Sequence, residues 1–535
     1  MKLVKSLLLG SAAGLIAVGG AQAADLPVKA KAVEYVKICS LYGAGFYYMP
    51  GTDTCIKLGG YVRADAIFGG AGDYNFNGNG AAVNGGSNNR LTNYYYTRAR
   101  MDLNVDTRTA TEYGVVRTYA DMIFSYDTIT GAQNTSAPTG GTSFGAGGAT
   151  LGLYHAFIQF AGFTMGRTVS IFDAPWQSYN SGGPDTIPGG SNHVTGINQL
   201  AYTADFGQGI TGSIALEEPT TQSNGQGNLW NVNGFSASGA VLGSTSALGA
   251  AGTTFVTTSA AAAGAALIQG QYGVNDWGGT RIPDIVGALR VDQAWGLGQI
   301  SVAAHDLHAG YYGSSEPSNH PADKWGWAVM GSLSIKNIPT GAGDSLNLNA
   351  VYTDGDSREN FQVLFPQTFY IFSGTGVAGA YQSVGFAGIS DGVFGTNGSI
   401  ETTKTWGVRG GYTHNWNPYW ASAIYGGYAG LSYSSNAKAL ICANFTAAGF
   451  GATATCNPDF NFGVVGVNTV WTPVKNLSFT ADLSWSRLDQ KYSGTITVPG
   501  TPGANGFNTN AKPAAVYELK DQNSLTLMLR ANRVF

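Results

Sequence analysis

Charged side chains alternate with apolar ones in the segment 97–106, which reads TRARMDLNVD. Arg98, Arg100 and Asp102 stand at every second position, so an extended chain would project all three to one side. An arginine guanidinium keeps its positive charge at physiological pH. Such a row can attract, orient or repel ions and dipolar molecules, and this electrostatic chemistry breaks no bond.

Four arginines and four aspartates are the candidate site residues of this kind. We expect the arginines to come from neighbouring strands and to form one basic cluster, with acidic partners on the strands and on a long loop, 170–196. The candidates are Arg63, Arg98, Arg100, Arg117, Asp102, Asp121, Asp173 and Asp185. A simpler alternative stays open, in which Arg98–Asp102 and Arg117–Asp121 are salt bridges within the sheet.

Signals for other chemistry are weak. The six histidines are scattered, and no constellation of a histidine with Ser or Asp partners for nucleophilic catalysis is identifiable. The glycines form no strand-to-helix phosphate loop, and the cysteines lack zinc-site spacing. A net charge of −4 offers no basic surplus for nucleic acid. We therefore expect no enzymatic activity, no cofactor, no metal and no nucleic-acid partner.

The composition is unusual for a soluble protein. Charged residues make up 11% of the chain, against about 25% in ordinary globular domains. Glycine accounts for 78 of 535 residues and aromatic residues for 12%. This polar, weakly charged and aromatic-rich composition is typical of a β-barrel with a wet interior and an apolar exterior.

Two-residue periodicity recurs along the chain and predicts strands. In 56–68, Leu58 and Val62 fall on one face and Arg63 and Asp65 on the other. A soluble sandwich shows the same alternation, so the number of strands and their connections must decide. Sixteen strands are expected, at about 56–68, 93–106, 112–125, 150–161, 162–169, 197–206, 209–218, 281–294, 297–307, 324–337, 344–354, 401–415, 418–435, 460–474, 476–490 and 521–535.

The connections alternate in length. Turns of a few residues follow the even-numbered strands, and long loops such as 170–196 and 219–280 follow the odd-numbered ones. This pattern is typical of an outer-membrane barrel, with turns in the periplasm and loops outside. Because an arginine or lysine facing mid-membrane lipid costs about 2–4 kcal/mol, the charged faces must line the lumen. The fold class is therefore all-β, a 16-stranded antiparallel transmembrane β-barrel.

The N-terminal residues predict export. Lys2 and Lys5 precede an apolar stretch, 7–18, and an A-x-A site at 21–23, which together are typical of a secretory signal peptide. An uncleaved amphipathic anchor is the weaker alternative, since the stretch has no polar face. The expected organisation is a signal peptide at 1–23, a periplasmic segment at 24–55 and the barrel domain at 56–535. Residues 219–280 are interpreted as a long, low-complexity extracellular loop.

The chain contains four cysteines, Cys39, Cys55, Cys442 and Cys456. An even number in an exported chain indicates disulfides. Three pairings are formally possible. We expect Cys39–Cys55 and Cys442–Cys456, because each closes a short loop.

The segment 39–63, CSLYGAGFYYMPGTDTCIKLGGYVR, closely resembles the signature of alphaproteobacterial general porins. The residues ADLP at 24–27 and EYVK at 34–37 are similar to the mature start of that family. Gly166-Arg167 leading to Phe172-Asp173 resembles the entry to its third loop. The resemblance extends over the whole mature chain and is sharpest over 24–70.

This resemblance implies a passive, water-filled channel for small hydrophilic solutes and ions in the bacterial outer membrane. It also implies a third loop that folds into the lumen and narrows it opposite the arginines, a homotrimer, and contact with outer-membrane lipid and lipopolysaccharide. Aspartates of that loop and arginines of the wall would set a transverse field across the narrowing. The rival interpretations are a barrel enzyme, for which the required constellation is missing, and a substrate-specific channel or adhesin.

Overall fold

The computed structural model describes most of the chain beyond its N-terminal region. The described residues are 38–69, 95–127, 148–176, 183–185, 187–191, 195–219, 229–232, 240–242, 255–257, 272–313, 316–361, 368–395, 398–447, 450–451, 453–498 and 513–535. The predicted signal peptide, 1–23, lies outside these ranges. Two compact units divide the chain, 1–56 and 57–535.

The first unit holds a small disulfide-linked core. A 3-10 turn, Ser40–Tyr42, precedes the short strand Tyr47–Tyr48, which pairs antiparallel with residues 55–56. The predicted bond between Cys39 and Cys55 is confirmed, and both cysteines are buried beside Phe46. A disulfide stabilises so small an element mainly by restricting its unfolded chain.

Sixteen strands form one closed antiparallel sheet, as predicted. They are β1 Thr54–Gly69, β2 Tyr95–Thr111, β3 Gly114–Asp127, β4 Gly148–Phe160, β5 Phe163–Thr168, β6 Ile197–Gly207, β7 Ile210–Glu217, β8 Asp284–Gln293, β9 Gly296–Leu307, β10 Lys324–Lys336, β11 Ser345–Asp354, β12 Lys404–Asn417, β13 Trp420–Ser432, β14 Phe460–Val474, β15 Leu477–Gln490 and β16 Gln522–Val534. Each strand pairs with the next, and β16 closes the barrel on β1, with Arg533 opposite Val62. Closure pairs the backbone groups that an open sheet edge would leave unbonded.

The turns suit the twist of the sheet. Ala161 and Gly162 join β4 to β5 with φ angles of 51° and 85°. Two consecutive positive φ values are typical of two-residue hairpin turns, whose twist matches that of the strands. A Cβ at residue 162 would lie 2.9 Å from the Thr203 carbonyl oxygen, so glycine also serves the close approach of β6.

The strands are two-faced as the sequence predicts. In β1, Leu58 and Val62 are 50% and 54% exposed on the outside, whereas Arg63 and Asp65 are 8% and 3% exposed on the inside. Outward tryptophans lie near both ends of the barrel, with Trp325 and Trp327 in β10 and others at the opposite end, Trp416 and Trp420. None of the described helices is both long and apolar enough to cross a membrane.

The third loop enters the lumen because β5 is short. Its six residues span about 20 Å at 3.3 Å per residue, so the chain leaves the wall early. Two wall glutamines hold the start of the loop. The Gln199 side-chain amide donates to the carbonyl oxygens of Thr168 and Val169 at 3.1 and 2.8 Å, and Gln299 donates to that of Asp173 at 2.9 Å.

The loop end of the barrel carries an apolar core that the sequence analysis missed. This core is formed by two helices and a four-stranded sheet. The helices are α1 Arg358–Phe361 and α2 Ser435–Ala447, and the sheet consists of residues 368–373, 380–388, 494–498 and 515–519. Buried aromatic residues of these loops, among them Phe386 and Phe445, pack with inward-facing Phe460 and Phe462 of β14. The lumen is therefore apolar beside the loop ends of β13 to β15.

The loops also contain a disulfide bond and a short paired strand. The predicted Cys442–Cys456 bond is confirmed and joins α2 to the segment after it. The segment 219–280, interpreted as a low-complexity loop without a recognisable motif, contains a paired strand at 229–231, which lies parallel to 392–394 and antiparallel to 274–275. This pairing joins residues far apart in sequence, so local composition gave no sign of it.

Candidate functional site

Four arginines meet on the inner wall where the barrel closes. Arg63 lies on β1, Arg98 and Arg100 lie on β2, and Arg530 lies on β16. Register places Arg530 opposite Asp65, two positions from Arg63. Sequence analysis missed Arg530, although it stands on the face of β16 opposite Leu527 and Leu529, where alternation alone assigns it to the lumen.

Asp185 of the third loop lies among these arginines. Its carboxylate oxygens are 3.2 Å from Arg63 Nη1, 3.4 Å from Arg98 Nη1, 3.7 Å from Arg100 Nη1 and 3.5 Å from Arg530 Nη2. Burial raises the pKa of Asp185, but the four positive charges outweigh burial and lower that pKa below its ordinary value. The carboxylate is therefore charged. The sequence analysis expected it to face the arginines across a gap, whereas in the structure it contacts them directly.

Two wall aspartates complete this cluster. Asp65 lies 2.9 Å from Arg63 Nε and 2.7 Å from Arg530 Nε. Asp127 accepts a hydrogen bond of 3.0 Å from Arg98 Nη2. Four arginines thus contact three aspartates in this cluster, whose formal net charge is +1, and Asp102 and Asp482 outside it also act electrostatically on Arg100 and Arg530.

Three predicted residues lie on the inner wall outside this cluster. Arg117 pairs with Asp106 at 3.0 Å and donates to Gln159 Oε1 at 3.0 Å. Asp102 accepts a hydrogen bond from the Asn104 amide, and Asp121 lies 3.8 Å from His155 Nε2. The alternative pairs Arg98–Asp102 and Arg117–Asp121 are not the ones that form, since Arg98 pairs with Asp127 and Arg117 with Asp106.

Asp173, the second predicted loop aspartate, lies in a different place. It is buried, and Ser191 Oγ donates to its Oδ2 at 2.9 Å. Burial and the negative charge of Glu359 raise the pKa of Asp173 to about 7. The two loop aspartates therefore have opposite environments, and only Asp185 contacts the arginine cluster.

The far end of the third loop is held by another arginine that sequence analysis did not single out. Arg409 of β12 donates to the carbonyl oxygens of Ile187 and Ser191 at 3.3 and 2.6 Å, and to Asn349 Oδ1 at 3.0 Å. At the near end, Arg530 Nη1 donates to the Gly183 carbonyl oxygen at 2.9 Å. Residues 183–185 thus contact the wall formed by β16, β1 and β2, and residues 187–191 contact that of β11 and β12.

This arrangement can select solutes but offers nothing for bond chemistry. A loop fixed through the lumen by arginines at both ends narrows any passage, and its contacts leave fixed charges beside the narrowing. Such charges act on a passing ion through the local field, which is strong where water is scarce.

Comparison with known proteins agrees with this geometry. A family model described as the porin subfamily matches residues 25–528. Porin Omp2b of Brucella suis is 35% identical over 236 residues, which are 43% of this chain and 59% of that porin. Porin Omp2b of Brucella abortus is 35% identical over 232 residues, 43% of this chain and 58% of that porin. The match thus spans less than two thirds of either relative.

A solved structure has the same architecture. The outer membrane channel DcaP of Acinetobacter baumannii aligns with 91% of this chain and 99% of its own, with a TM-score of 0.52. At 15% identity this likeness shows the fold alone. The family model, by contrast, covers nearly all of the sequence, including the motif at 39–63. The chain belongs to the porin subfamily.

Proposed function

We propose that this protein forms a passive, water-filled channel through which small hydrophilic solutes and ions cross the bacterial outer membrane. The observation that carries this proposal is the third loop, fixed through the lumen of a closed barrel by Asp185 and Arg409. A barrel serving only as an anchor would need no such internal loop, whereas a sieve needs a narrowing of defined width.

The arginine cluster would make the narrowing weakly anion-selective. Arg63, Arg98, Arg100 and Arg530 keep one net positive charge after pairing with Asp65, Asp127 and Asp185. An anion approaching this wall is attracted and a cation repelled, and salt screens both effects beyond about 10 Å at 0.1 M. Arg117, Asp102, Asp121 and Asp173 are proposed to act outside the narrowest part.

The proposal extends to the setting of the barrel. The outward apolar faces and the tryptophans near both ends support contact with membrane lipid, including lipopolysaccharide on the loop side. On this assignment the turns and the segment 24–55 lie in the periplasm, after cleavage of 1–23. From the family resemblance we also propose a homotrimer. Native mass spectrometry of the detergent-extracted protein tests this assembly, and a mass equal to three chains is expected.

Liposome swelling tests the channel directly. Vesicles containing the purified protein should swell in isotonic solutions of small neutral solutes, at rates that fall steeply as solute size increases. Vesicles with heat-denatured protein are the control. A folded barrel that admits no solute of any size would overturn the proposed function.

A further inference from the structure

A polar cavity lies inside the barrel, at the start of the third loop. Its volume is about 330 Å³, and its walls are inward-facing residues of β4 to β9 together with loop residues up to Trp176. Small-molecule sites begin at about 300 Å³. The cavity is therefore large enough for one small solute and too small for a chain of them.

Hydroxyl groups are the commonest polar groups in the lining of this cavity. Six of them come from four elements: Thr164, Thr168, Ser170, Thr203, Thr211 and Ser213. Two lie within hydrogen-bonding distance of each other, Thr203 Oγ1 and Ser213 Oγ, at 2.8 Å. Because a hydroxyl can donate and accept, this wall can bond to either kind of group on a solute.

Three glutamines add amide groups that are already held in place. Gln199 and Gln299 donate through their amide nitrogens to backbone oxygens of the loop, which fixes both side chains. Gln159 is fixed in turn by Arg117, which donates to its Oε1. Fixed polar groups bind with less loss of side-chain freedom than mobile ones.

Two buried polar atoms of the uncharged lining residues have unused bonding capacity. Among the described residues, neither Gln199 Oε1 nor Trp176 Nε1 has a hydrogen-bond partner. One is an acceptor and the other a donor, so a ligand that supplies both kinds of group matches the pair. The Trp176 ring also offers an apolar face, on which the C–H side of a sugar ring can pack.

The two charged residues of the lining are each paired once, and each keeps one buried atom without a partner. Asp173 Oδ2 accepts a hydrogen bond from Ser191 and Arg290 Nη2 lies 3.2 Å from Asp292, whereas Asp173 Oδ1 and Arg290 Nε have no hydrogen-bond partner among the described residues. The lining thus holds one acidic and one basic group, so neither sign of net charge is favoured, and the hydroxyl groups of a neutral solute can bond to both atoms. An apolar solute would leave hydroxyls and amides unbonded. A neutral molecule with several hydroxyl groups satisfies this wall best.

We propose that this hydroxyl- and amide-lined cavity is a transit binding site for one neutral, polyhydroxylated solute of about monosaccharide size. The proposal rests on the channel function and adds a solute preference to it. Binding here would be separate from ion selection, because the arginine cluster lies on β16, β1 and β2 and the cavity on β4 to β9.

The test uses the full protein in planar bilayers with D-glucose as the probe. The KCl conductance should fall saturably as glucose is added, beyond the effect of solution viscosity. Thr203→Val combined with Ser213→Ala should raise the half-saturating glucose concentration about tenfold, the loss expected for two ordinary hydrogen bonds. Trp176→Ala should weaken the effect, and Trp176→Phe, which keeps an aromatic face but loses the Nε1 donor, should weaken it less. Thr526→Val, on the inner face of β16, is the matched control and should behave as wild type.

Each outcome has a separate meaning. Normal KCl conductance without a saturable glucose effect would overturn the binding site and leave the channel standing. A saturable effect that the paired Thr203 and Ser213 variant does not weaken would place sugar binding elsewhere and also overturn the proposal. A folded barrel without KCl conductance would overturn both the site and the proposed function.

Discussion

The carboxylate of Asp185 lies 3.2 Å from the guanidinium of Arg63, although 122 positions separate the two residues in the sequence. The contact joins the third loop to the first strand of the barrel. It is made inside the lumen, where charges interact more strongly than in bulk water. The Asp185 carboxylate therefore both holds the third loop in place and contributes to the charge of the wall.

Neutralising Asp185 should change ion selectivity. Asp185→Asn leaves four arginines facing two aspartates, so the net charge of the cluster rises from one to two. We expect the reversal potential in a KCl gradient to move toward the anion value. Asp521→Asn is the control, because its partner Arg487 lies outside this cluster. If the reversal potential of the Asp185→Asn variant equals that of the wild type, ions do not pass this wall.

Arg530 should hold the third loop in place. Arg530→Gln removes the bond to the Gly183 carbonyl oxygen and the pair with Asp65. Loss of one member of a buried pair typically costs about 3–5 kcal/mol. Here Arg63 still pairs with Asp65, so we expect less than that in urea-unfolding experiments, together with noisier single-channel current. Arg487→Gln, in the more exposed pair with Asp521 outside this cluster, is the control. Quiet current and unchanged stability would contradict a positioning role.

Much of this site follows from sequence alternation, and part of it does not. The two-residue period places Arg63, Arg98 and Arg100 on the inner face, and it would have placed Arg530 there as well. It cannot say which loop aspartate reaches the arginines. Asp173 and Asp185 are both aspartates of the same loop, and no sequence pattern distinguishes them. Tertiary packing places Asp173 beside Ser191 and Asp185 among guanidinium groups.

The packing of the outer loops against one another could not be predicted from the sequence for a related reason. Their core joins Phe386, Phe445 and Tyr492, which come from three separate loops. Their paired strands are short and bring together residues more than a hundred positions apart. Local periodicity detects long strands with a solvent or lipid face, and it does not detect such contacts.

Asp173 should make stability depend on pH. Its pKa is raised to about 7 in the folded protein, against about 3.9 in an unfolded chain. A raised pKa favours the protonated folded state, so this contribution to stability is complete below pH 4 and is lost as pH rises through 7. Each pKa unit corresponds to about 1.4 kcal/mol, so a difference of a few kcal/mol is expected across this range.

Unfolding in urea at pH 4 to 8 checks this dependence. The wild type should lose stability relative to Asp173→Asn as pH rises, because the amide does not titrate. Asp205→Asn, at an exposed turn, serves as the control. A constant difference between the wild type and Asp173→Asn at all pH values would contradict the assigned environment.

The Cys442–Cys456 disulfide should stabilise the outer loops and not the barrel. It closes a loop with a sequence separation of 14 residues, for which the chain-entropy model predicts about 3 kcal/mol. Replacing both cysteines with alanine should speed tryptic cleavage after Lys438 in α2 while the strands stay protected. Alanine at Cys39 and Cys55 should leave this cleavage rate unchanged. Equal rates in all three proteins would contradict the prediction.

Single-channel recording of Arg98→Glu combined with Arg100→Glu tests the central claim most directly. The wild type should give stepwise currents with a weak anion preference in a KCl gradient. The variant should also conduct, but its reversal potential should move to the cation side, because two positive charges at the narrowing become negative. A reversal potential identical to that of the wild type, or a folded wild-type barrel that passes no current, would contradict the account.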